Sequence, residues 1–210
     1  MIIMLRGNNG SGKSTVVRNV VQQMHSTPLY GARGPKIPEA YCCLHKTSPK
    51  HVGGPPTFVL GPYESPQTTG FDCVIRLGME AALALLEKYR VKATPFHAFH
   101  GGHVLFESVF TSVRFLEPSI GKWLTTHKGD AIIATLDTTL EQCLSAIEER
   151  KKTSLAGTKW SSKYLEGNHK QFERVTAQYE ELGFRMEYVS RENASEKILG
   201  WLKEKPRHAR

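Results

Sequence analysis

The sequence predicts an α/β fold in which helices cover both faces of a parallel sheet, making three layers. Two observations predict it. Short apolar strands alternate with stretches of helical periodicity along almost the whole chain. A glycine-rich loop also stands between the first strand and the first helix, where open α/β sheets place their ligand sites. The 210 residues are 40% hydrophobic and 23% charged, which is typical of a single globular domain, predicted over 1–210, and excludes a disordered chain.

The first third of the chain predicts one helix among several strands. Ile2–Arg6 is a short apolar strand, and residues 13–25 have the pattern of a helix. Eight of the eleven prolines fall within residues 28–70, so no long helix fits there. Short β-branched and aromatic runs at residues 40–45 and 57–60 are predicted as strands. We therefore expect residues 28–70 to form a Pro/Gly-rich β insertion.

The remaining chain alternates between helix and strand. Residues 73–89 predict a helix whose apolar face runs through Val74, Leu77, Ala81 and Leu85. The later elements are a strand at 104–106, helical segments to about 126, a strand at Ala131–Leu136, helices at 139–152 and 164–182, a strand at 184–189 and a helix at 194–203. Strands separated by helices at this spacing indicate a parallel sheet.

The charge of the chain is unevenly distributed. The 28 Lys and Arg residues outnumber the 20 Asp and Glu residues, which gives a formal net charge of +8. Residues 1–60 hold seven basic residues and one acid, residues 61–150 hold eight and eleven, and residues 151–210 hold thirteen and eight. A basic excess attracts polyanions such as nucleotide phosphates or a nucleic-acid backbone. Charge alone does not separate this from a basic surface that only keeps the protein soluble.

The sequence also excludes several classes of protein. No apolar stretch approaches the ~20 residues of a membrane-spanning helix, and the first residues lack the features of a secretion signal. The four cysteines have no metal-binding spacing, and a bond between the adjacent Cys42 and Cys43 would be strained. We therefore expect reduced thiols, a cytoplasmic location and no membrane partner.

The most specific motif occupies the segment after the first strand. It matches the pattern G-x-x-x-x-G-K-[ST] and consists of Gly7, Asn8, Asn9, Gly10, Ser11, Gly12, Lys13, Ser14 and Thr15. Its glycines let successive backbone N–H groups turn towards phosphate oxygens, and the helix N-terminus adds a partial positive charge. Lys13 is expected to reach the β- and γ-phosphates, and the Ser14 hydroxyl to ligate Mg²⁺. The motif predicts a nucleoside triphosphate site with ATP and Mg²⁺ as cofactors.

The class of phosphate-loop protein follows from what else the chain contains. The sequence has no N-K-x-D-type motif for reading a guanine base, so a GTPase is not favoured. Transporter, motor and recombinase ATPases usually need longer chains, whereas small kinases fit within about this length. A kinase is therefore the favoured interpretation, and the choice between ATP and GTP stays open.

A kinase needs a carboxylate near the metal and usually another that orients or deprotonates the acceptor hydroxyl. Glu107 follows a predicted strand, and it is either a water-mediated Mg²⁺ partner or an ordinary acid of a first helical turn. The β insertion at residues 28–70 would form the acceptor side of the domain, and Asp72 stands between it and a predicted helix. Asp72 is either the acceptor-side base or an N-cap, with Glu64 as the substitute base. Tyr63 is expected to stack on a base or to pack internally.

Residues 150–163 predict a lid. The segment after the helix at 139–152 is small and polar, which suits a closing flap. A cation there would neutralise the transferred phosphoryl group, although basic residues also favour a helix C-terminus or a solvated face. The candidate cations, with Arg150 first, are Arg150, Lys151, Lys152, Lys163, Lys170 and Arg174.

Three histidines, His97, His100 and His103, stand in a glycine-containing stretch beside Phe96 and Phe99. Their spacing has no matching Cys or acid partner, so we predict no metal site there. These histidines are predicted to line an anionic groove, and the aromatic residues to stack on unpaired bases.

Three further motifs carry a resemblance to a known family. They are Val59-Leu60-Gly61-Pro62-Tyr63, Thr69-Gly70-Phe71-Asp72 and Val104-Leu105-Phe106-Glu107-Ser108. With the phosphate loop and the helix that runs to Arg150, they make the chain resemble the nucleoside- and nucleotide-kinase branch of P-loop proteins. More narrowly, the chain is similar to phage-encoded P-loop kinases of thymidine hypermodification, over roughly residues 1–190. Those enzymes phosphorylate 5-hydroxymethyluracil within DNA, making a base phosphate that later enzymes displace.

The resemblance implies a three-layer P-loop kinase fold and transfer of the ATP γ-phosphate, with Mg²⁺, to 5-hydroxymethyluracil in DNA, in the host cytoplasm if the chain is phage-encoded. Lys13 and Ser14 would hold phosphate and metal, Glu107 would assist the metal, Asp72 would activate the acceptor, and Arg150 would stabilise charge. The target base would have to leave the stack or lie in a single strand. Two alternatives stay open: a kinase of free deoxynucleosides or their monophosphates, and an ATP-dependent nucleic-acid-binding switch.

Overall fold

The computed structural model describes residues 1–31, 34, 36–48, 51–52, 55–64, 70–76, 78–92, 102–109, 120–153 and 162–204. Within these ranges the strands are β1 (Ile2–Arg6), β2 (His25–Leu29), β3 (Ala40–Leu44), β4 (Lys46–Ser48), β5 (His51–Val52), β6 (Thr57–Leu60), β7 (His103–Glu107), β8 (Ala131–Leu136) and β9 (Arg185–Val189). The helices are α1 (Lys13–Gln23), α2 (Asp72–Ile75), α3 (Met79–Lys92), α4 (Ile120–Thr126), α5 (Leu140–Thr153), α6 (Ser162–Glu181) and α7 (Ala194–Trp201), with a 3₁₀ turn at Lys128–Asp130.

Seven of these strands form one sheet in the order β2-β3-β6-β7-β1-β8-β9. The five strands from β6 to β9 in that order are parallel, while β3 pairs antiparallel with both β6 and β2. Every residue of β1 and of β8 is buried, as expected for strands whose two faces are both covered. The remaining two strands, β4 and β5, form a separate hairpin between β3 and β6.

Helices cover the two faces of the sheet and bury two separate apolar clusters. One cluster includes Leu86 of α3, Leu124 of α4 and Tyr179 of α6. The other includes Val17 of α1 and Ile198 of α7. The predicted fold class, a sheet between two helical layers, is confirmed; the sheet is parallel over five strands and contains one antiparallel strand, β3.

The chain order places one edge of the sheet at a switch point. After β1 the chain moves outward on one side to reach β6 and β7, and it then crosses to the other side for β8 and β9. The connections after β1 and β7 therefore diverge at neighbouring strand ends, where α/β sheets bind their ligands. This edge, which we call the carboxyl edge, receives the C-terminal ends of the five parallel strands.

Two predicted helices differ from the structure. The helix expected at 73–89 is divided into α2 and α3, because Gly78 adopts a φ of 125°, which a helix does not allow. Val74 and Leu85 are buried as predicted, whereas Ala81 is exposed, and the buried stripe of α3 also includes Ala82 and Leu86. The helix expected at 13–25 ends at Gln23, because His25 begins β2 and pairs with β3.

Leu77 lies outside the described residues, as do residues 110–119, where further helical segments were expected. The other predicted strands and helices are present, with ends shifted by one or two residues. In the part of the chain that the structure describes, no helix has the length and apolar character needed to span a membrane.

Candidate active site

The loop from Gly7 to Gly12 connects β1 to α1 at the carboxyl edge. Gly10 and Gly12 have φ values of 84° and 94°, in the left-handed region that glycine tolerates best. A Cβ atom on Gly10 would also lie 2.4 Å from the carbonyl oxygen of Cys143 in α5. The loop is therefore tightly curled against α5, and its glycines are required by conformation and by space.

Lys13, the first residue of α1, lies across this loop. Its Nζ atom donates to the carbonyl oxygens of Gly7 and Asn8, at 2.8 and 2.9 Å, and the side chain is buried. Burial lowers the pKa of Lys13, and the nearby carboxylates of Glu107 and Asp72 act in the opposite direction. The loop, one buried cation and the N-terminal N–H groups of α1 thus form a region suited to bind an anion.

Glu107 is the last residue of β7, as the sequence predicted, and its carboxylate meets α1. Oε1 accepts a hydrogen bond of 2.7 Å from the Ser14 hydroxyl. Burial raises the pKa of Glu107 to about 7; Asp72 adds to the rise, whereas Lys13 and Ser14 oppose it. Gly70 packs so closely that a Cβ on it would lie 2.0 Å from Oε1. The predicted metal ligand Ser14 and its predicted carboxylate partner are therefore in direct contact.

Asp72 lies next to this pair. It is the first residue of α2, whose N-cap is Phe71, and its carboxylate turns to the segment after β7. Oδ1 accepts a hydrogen bond from the Ser108 hydroxyl, and Oδ2 accepts one of 3.0 Å from the Val109 N–H. These bonds orient the carboxylate and hold it within electrostatic reach of Glu107 and Lys13.

The oxygens at this site suit a magnesium ion. Ser14 supplies a hydroxyl and Glu107 a carboxylate, both hard donors of the kind that Mg²⁺ prefers. Among the residues that the structure describes, no group of three or more His, Cys, Asp or Glu side chains could hold a metal by itself. Magnesium usually binds through one or two carboxylates with water and substrate phosphates, so these residues fit an ion bound together with a nucleotide.

The predicted lid is described only at its two ends. Arg150 lies in the last turn of α5, exposed, and its charge reaches far enough to lower the pKa of Lys13. Residues 154–161 lie outside the described part of the chain. The other candidate cations, Lys151, Lys152, Lys163, Lys170 and Arg174, are exposed on α5 and α6. Arg150 is the cation of this set whose charge is shown to act on Lys13 of the phosphate loop.

His103 was predicted to line a groove, but it is the first residue of β7 and 0% exposed, so that prediction is wrong. His97, His100, Phe96 and Phe99 lie outside the described residues.

Tyr63 packs internally. It is buried, its hydroxyl donates to the Leu60 carbonyl oxygen at 3.3 Å, and its ring lies 6.2 Å from that of Tyr41. The alternative of a base-stacking Tyr63 is therefore not supported by its position. Glu64, the substitute base, is exposed beside it.

Three side chains that the sequence did not single out for a role also support the site, two of them at the phosphate loop and one at Asp72. Arg191, after β9, donates to the carbonyl oxygens of Ser11 and Gly10 at 3.1 and 2.8 Å. The Asn8 amide nitrogen lies 2.7 Å from Nδ1 of His169 in α6, and Ser108 holds Asp72. Arg191 and His169 are more than 160 positions from their partners, so no local pattern indicates these contacts. Ser108 was visible only as the residue after Glu107.

Comparison with known proteins finds likenesses among solved structures. No family model matches the chain, and no curated protein matches it. Among solved structures, a deoxyadenosine kinase from M. mycoides, determined with bound dATP, aligns with 97% of this chain and 100% of its own. The sequence identity is 16% and the TM-score is 0.45.

Proposed function

We propose that this protein is a Mg²⁺-ATP-dependent phosphotransferase whose acceptor is the hydroxymethyl group of 5-hydroxymethyluracil in DNA. The observation that carries the phosphotransferase assignment is the contact between Ser14 and Glu107 at the mouth of the loop spanned by Lys13. A phosphate loop, a hydroxyl and carboxylates at one sheet edge are the parts that phosphoryl transfer requires.

Each residue would contribute a distinct part of the reaction. The loop N–H groups and Lys13 would bind the β- and γ-phosphates, and Ser14 with Glu107 would hold Mg²⁺, which neutralises phosphate charge when bound. The acceptor oxygen would bond to the γ-phosphorus as the bond from that phosphorus to the β–γ bridging oxygen breaks, and ADP would leave. Asp72 would take the hydroxyl proton, because its two hydrogen bonds from Ser108 and Val109 hold its carboxylate in one orientation.

Arg150 would stabilise the charge of the transferred phosphoryl group from the lid side. Its position at the end of α5, within electrostatic reach of Lys13, supports this role. The nucleotide is taken as ATP because the sequence has no motif for reading a guanine base.

The DNA acceptor rests on two features of the sequence. The motifs at residues 59–63, 69–72 and 104–108 resemble those of phage kinases that phosphorylate this base in DNA. The net charge of +8 is concentrated in the first and last 60 residues, as a polyanionic substrate favours. The hydroxymethyl group would be reached on an extruded or unpaired base.

The test uses γ-labelled ATP, Mg²⁺ and two matched acceptors: DNA containing 5-hydroxymethyluracil and the free 5-hydroxymethyl deoxynucleotide. We expect label in the modified DNA and none in ordinary thymine DNA. Label in the free nucleotide alone would replace this proposal with a kinase of free deoxynucleosides or monophosphates. Hydrolysis of ATP without any labelled acceptor, with DNA affinity that changes with the nucleotide, would indicate a nucleic-acid-binding switch.

A further inference from the structure

The first 63 residues present positive charge without exposed negative charge. They contain seven Lys and Arg side chains and a single carboxylate, Glu39. That carboxylate is 6% exposed, and it accepts hydrogen bonds from the Tyr89 hydroxyl, at 2.6 Å, and from Lys88. Because Glu39 is turned inward to α3, it offsets none of the surface charge of this segment.

Three of the seven cations lie at the described surface of the segment. Arg18 of α1 is half-buried, and Lys36 and Lys46 are exposed. Arg6 and Lys13 are buried, and the other two cations lie outside the described residues. Arg18 donates through Nε to the Tyr63 carbonyl oxygen at 3.2 Å, and within the described chain it has no carboxylate partner. This single bond orients the guanidinium and leaves its two Nη groups for an anion.

An exposed aromatic residue also stands at the carboxyl edge of the sheet. Tyr30 follows β2, which runs parallel to β6, so it emerges at the carboxyl edge with 50% of its surface exposed. Tyr30 and Glu64 both act electrostatically on the hydroxyl of Tyr41, which accepts a hydrogen bond of 3.1 Å from the Tyr63 N–H. Arg18 and Tyr41 therefore both bond to the backbone of Tyr63 just after β6, and Tyr30 lies at the same edge of the sheet, after the strand β2 that β3 separates from β6.

Resting on the proposed function, we infer that Tyr30 and Arg18 form a subsite for the DNA strand that flanks the acceptor base. An unpaired neighbouring base would stack on Tyr30, and a backbone phosphate would pair with the Nη groups of Arg18. Glu64 is the first carboxylate after Glu39 in the chain, so the segment without an exposed carboxylate ends there, towards the proposed site of the acceptor base. A free nucleotide would not span this surface, so the subsite would distinguish a polymer from a monomer.

The test compares Tyr30→Ala and Arg18→Gln with two matched controls. Tyr188→Ala removes a tyrosine that is also 50% exposed but lies on β9, at the opposite side of the sheet. Lys46→Gln removes an equal charge from β4, which follows β3 at the end of the sheet opposite to the carboxyl edge. The first probe is a fluorescent single-stranded oligonucleotide with one 5-hydroxymethyluracil. The second is the free monomer, 5-hydroxymethyl deoxyuridine monophosphate.

For Tyr30→Ala we expect an oligonucleotide Kd and KM raised about tenfold, from loss of one stacked base, with kcat unchanged. For Arg18→Gln we expect weaker binding and a salt dependence reduced by about 0.7 in slope, the value for one phosphate of a single strand. Neither variant should change the KM of the free monophosphate. If Arg18→Gln raised the KM of the free monophosphate as much as that of the oligonucleotide, Arg18 would bind the phosphate of the acceptor itself, and the strand subsite would be overturned.

The outcomes separate this inference from the proposed function. If the protein labels DNA, but Tyr30→Ala and Arg18→Gln bind the oligonucleotide as tightly as the two control variants do, the subsite is overturned and the kinase assignment stands. Oligonucleotide binding that weakens in both variants, in a protein that transfers no phosphate, would support the surface and overturn the kinase assignment.

Discussion

At the scale of single residues, one buried lysine and two acidic side chains determine the electrostatics of the site. Lys13 is buried between backbone carbonyl groups, and Glu107 and Asp72 act on it from the neighbouring strand and helix. Burial raises the pKa of Glu107 to about 7, which leaves its charge responsive to what binds beside it. Asp72 accepts two hydrogen bonds and is the better oriented carboxylate for accepting a proton.

Replacing Asp72 by Asn tests the proposed base. We expect turnover to fall about 10²–10⁴-fold, the usual contribution of a general base, with Mg²⁺-ATP affinity within about twofold of the original. Steady-state kinetics and nucleotide titration measure the two quantities. Glu64→Gln is the matched control, since Glu64 is the alternative base and is exposed. Loss of turnover in Glu64→Gln with activity retained in Asp72→Asn would transfer the role to Glu64.

His103 makes the stability of the fold depend on pH. It is 0% exposed, and its pKa is lowered to about 3, chiefly by burial and then by the amino group of Met1 and by His45. The unfolded chain takes up a proton below about pH 6.5 and the folded chain does not, so the free energy of unfolding falls as pH decreases from 6.5 towards 3. The full effect is about 3–5 kcal/mol, at 1.36 kcal/mol per pKa unit.

Urea unfolding at pH 7.5, 6 and 5 measures this dependence. We expect His103→Leu to flatten the fall in stability relative to the original chain. His25→Asn replaces an exposed histidine and should leave the fall unchanged. A His103→Leu protein with an unaltered pH dependence would contradict the assignment of the effect to this side chain.

At the scale of elements, the site depends on how closely helices and loops approach the sheet. The segment before α2 passes Glu107 without room for a side chain at Gly70, and the Phe71 N–H donates to the Glu107 carbonyl oxygen at 3.2 Å. On the other side, α6 packs on the end of β1, where Arg6 lies between the rings of Phe172 and Tyr179, 4.9 and 4.8 Å away. These contacts position the phosphate loop between α2 and α6.

Gly70→Ala tests the approach of the α2 segment. Gly70 has a φ of 81°, and the added methyl group would meet the Glu107 carboxylate. We expect at least about 2 kcal/mol loss in the free energy of unfolding and weaker Mg²⁺-ATP binding, because Glu107 must leave Ser14. Urea unfolding and nucleotide titration measure both effects.

The control for this change is Gly200→Ala in α7, where a Cβ would meet nothing within 4 Å. A glycine-to-alanine change inside a helix should stabilise the protein by about 0.5–1 kcal/mol. Equal behaviour of the two variants would show that Gly70 is not held against Glu107.

At the scale of the whole molecule, nucleotide binding should be linked to folding. The loop contacts α1, α5, α6 and the segment after β9, through Lys13, Cys143, His169 and Arg191. A ligand that binds only the folded protein stabilises it by about 2.7 kcal/mol at one hundred times its Kd. For a chain of 210 residues this corresponds to a rise in Tm of about 5–10 °C.

Thermal unfolding with and without Mg²⁺-ATP measures this rise. Lys13→Ala should abolish it, and removal of Mg²⁺ by EDTA should reduce it, because Ser14 and Glu107 would then bind no ion with the phosphates. An unchanged Tm at saturating nucleotide would contradict a nucleotide site at this loop.

The sequence alone was sufficient for the fold class and for the phosphate loop. Strand and helix periodicities are local, and so is the motif at residues 7–15, so both can be read without knowing which elements are neighbours. Glu107 was also found at the end of its strand, because a strand end is a local feature. The division between α2 and α3 was missed because a glycine inside a helical pattern is compatible with either outcome.

The pairing of side chains depended on the order of strands in the sheet. Ser14 meets Glu107 across 93 positions and Asp72 meets Ser108 across 36, because β6, β7 and β1 are adjacent although they are distant in sequence. The burial of His103 and the inward turn of Glu39 have the same origin. Sequence spacing determines which face of its own element a residue occupies; the packing of other elements against that face determines whether it meets water, a partner or a ligand.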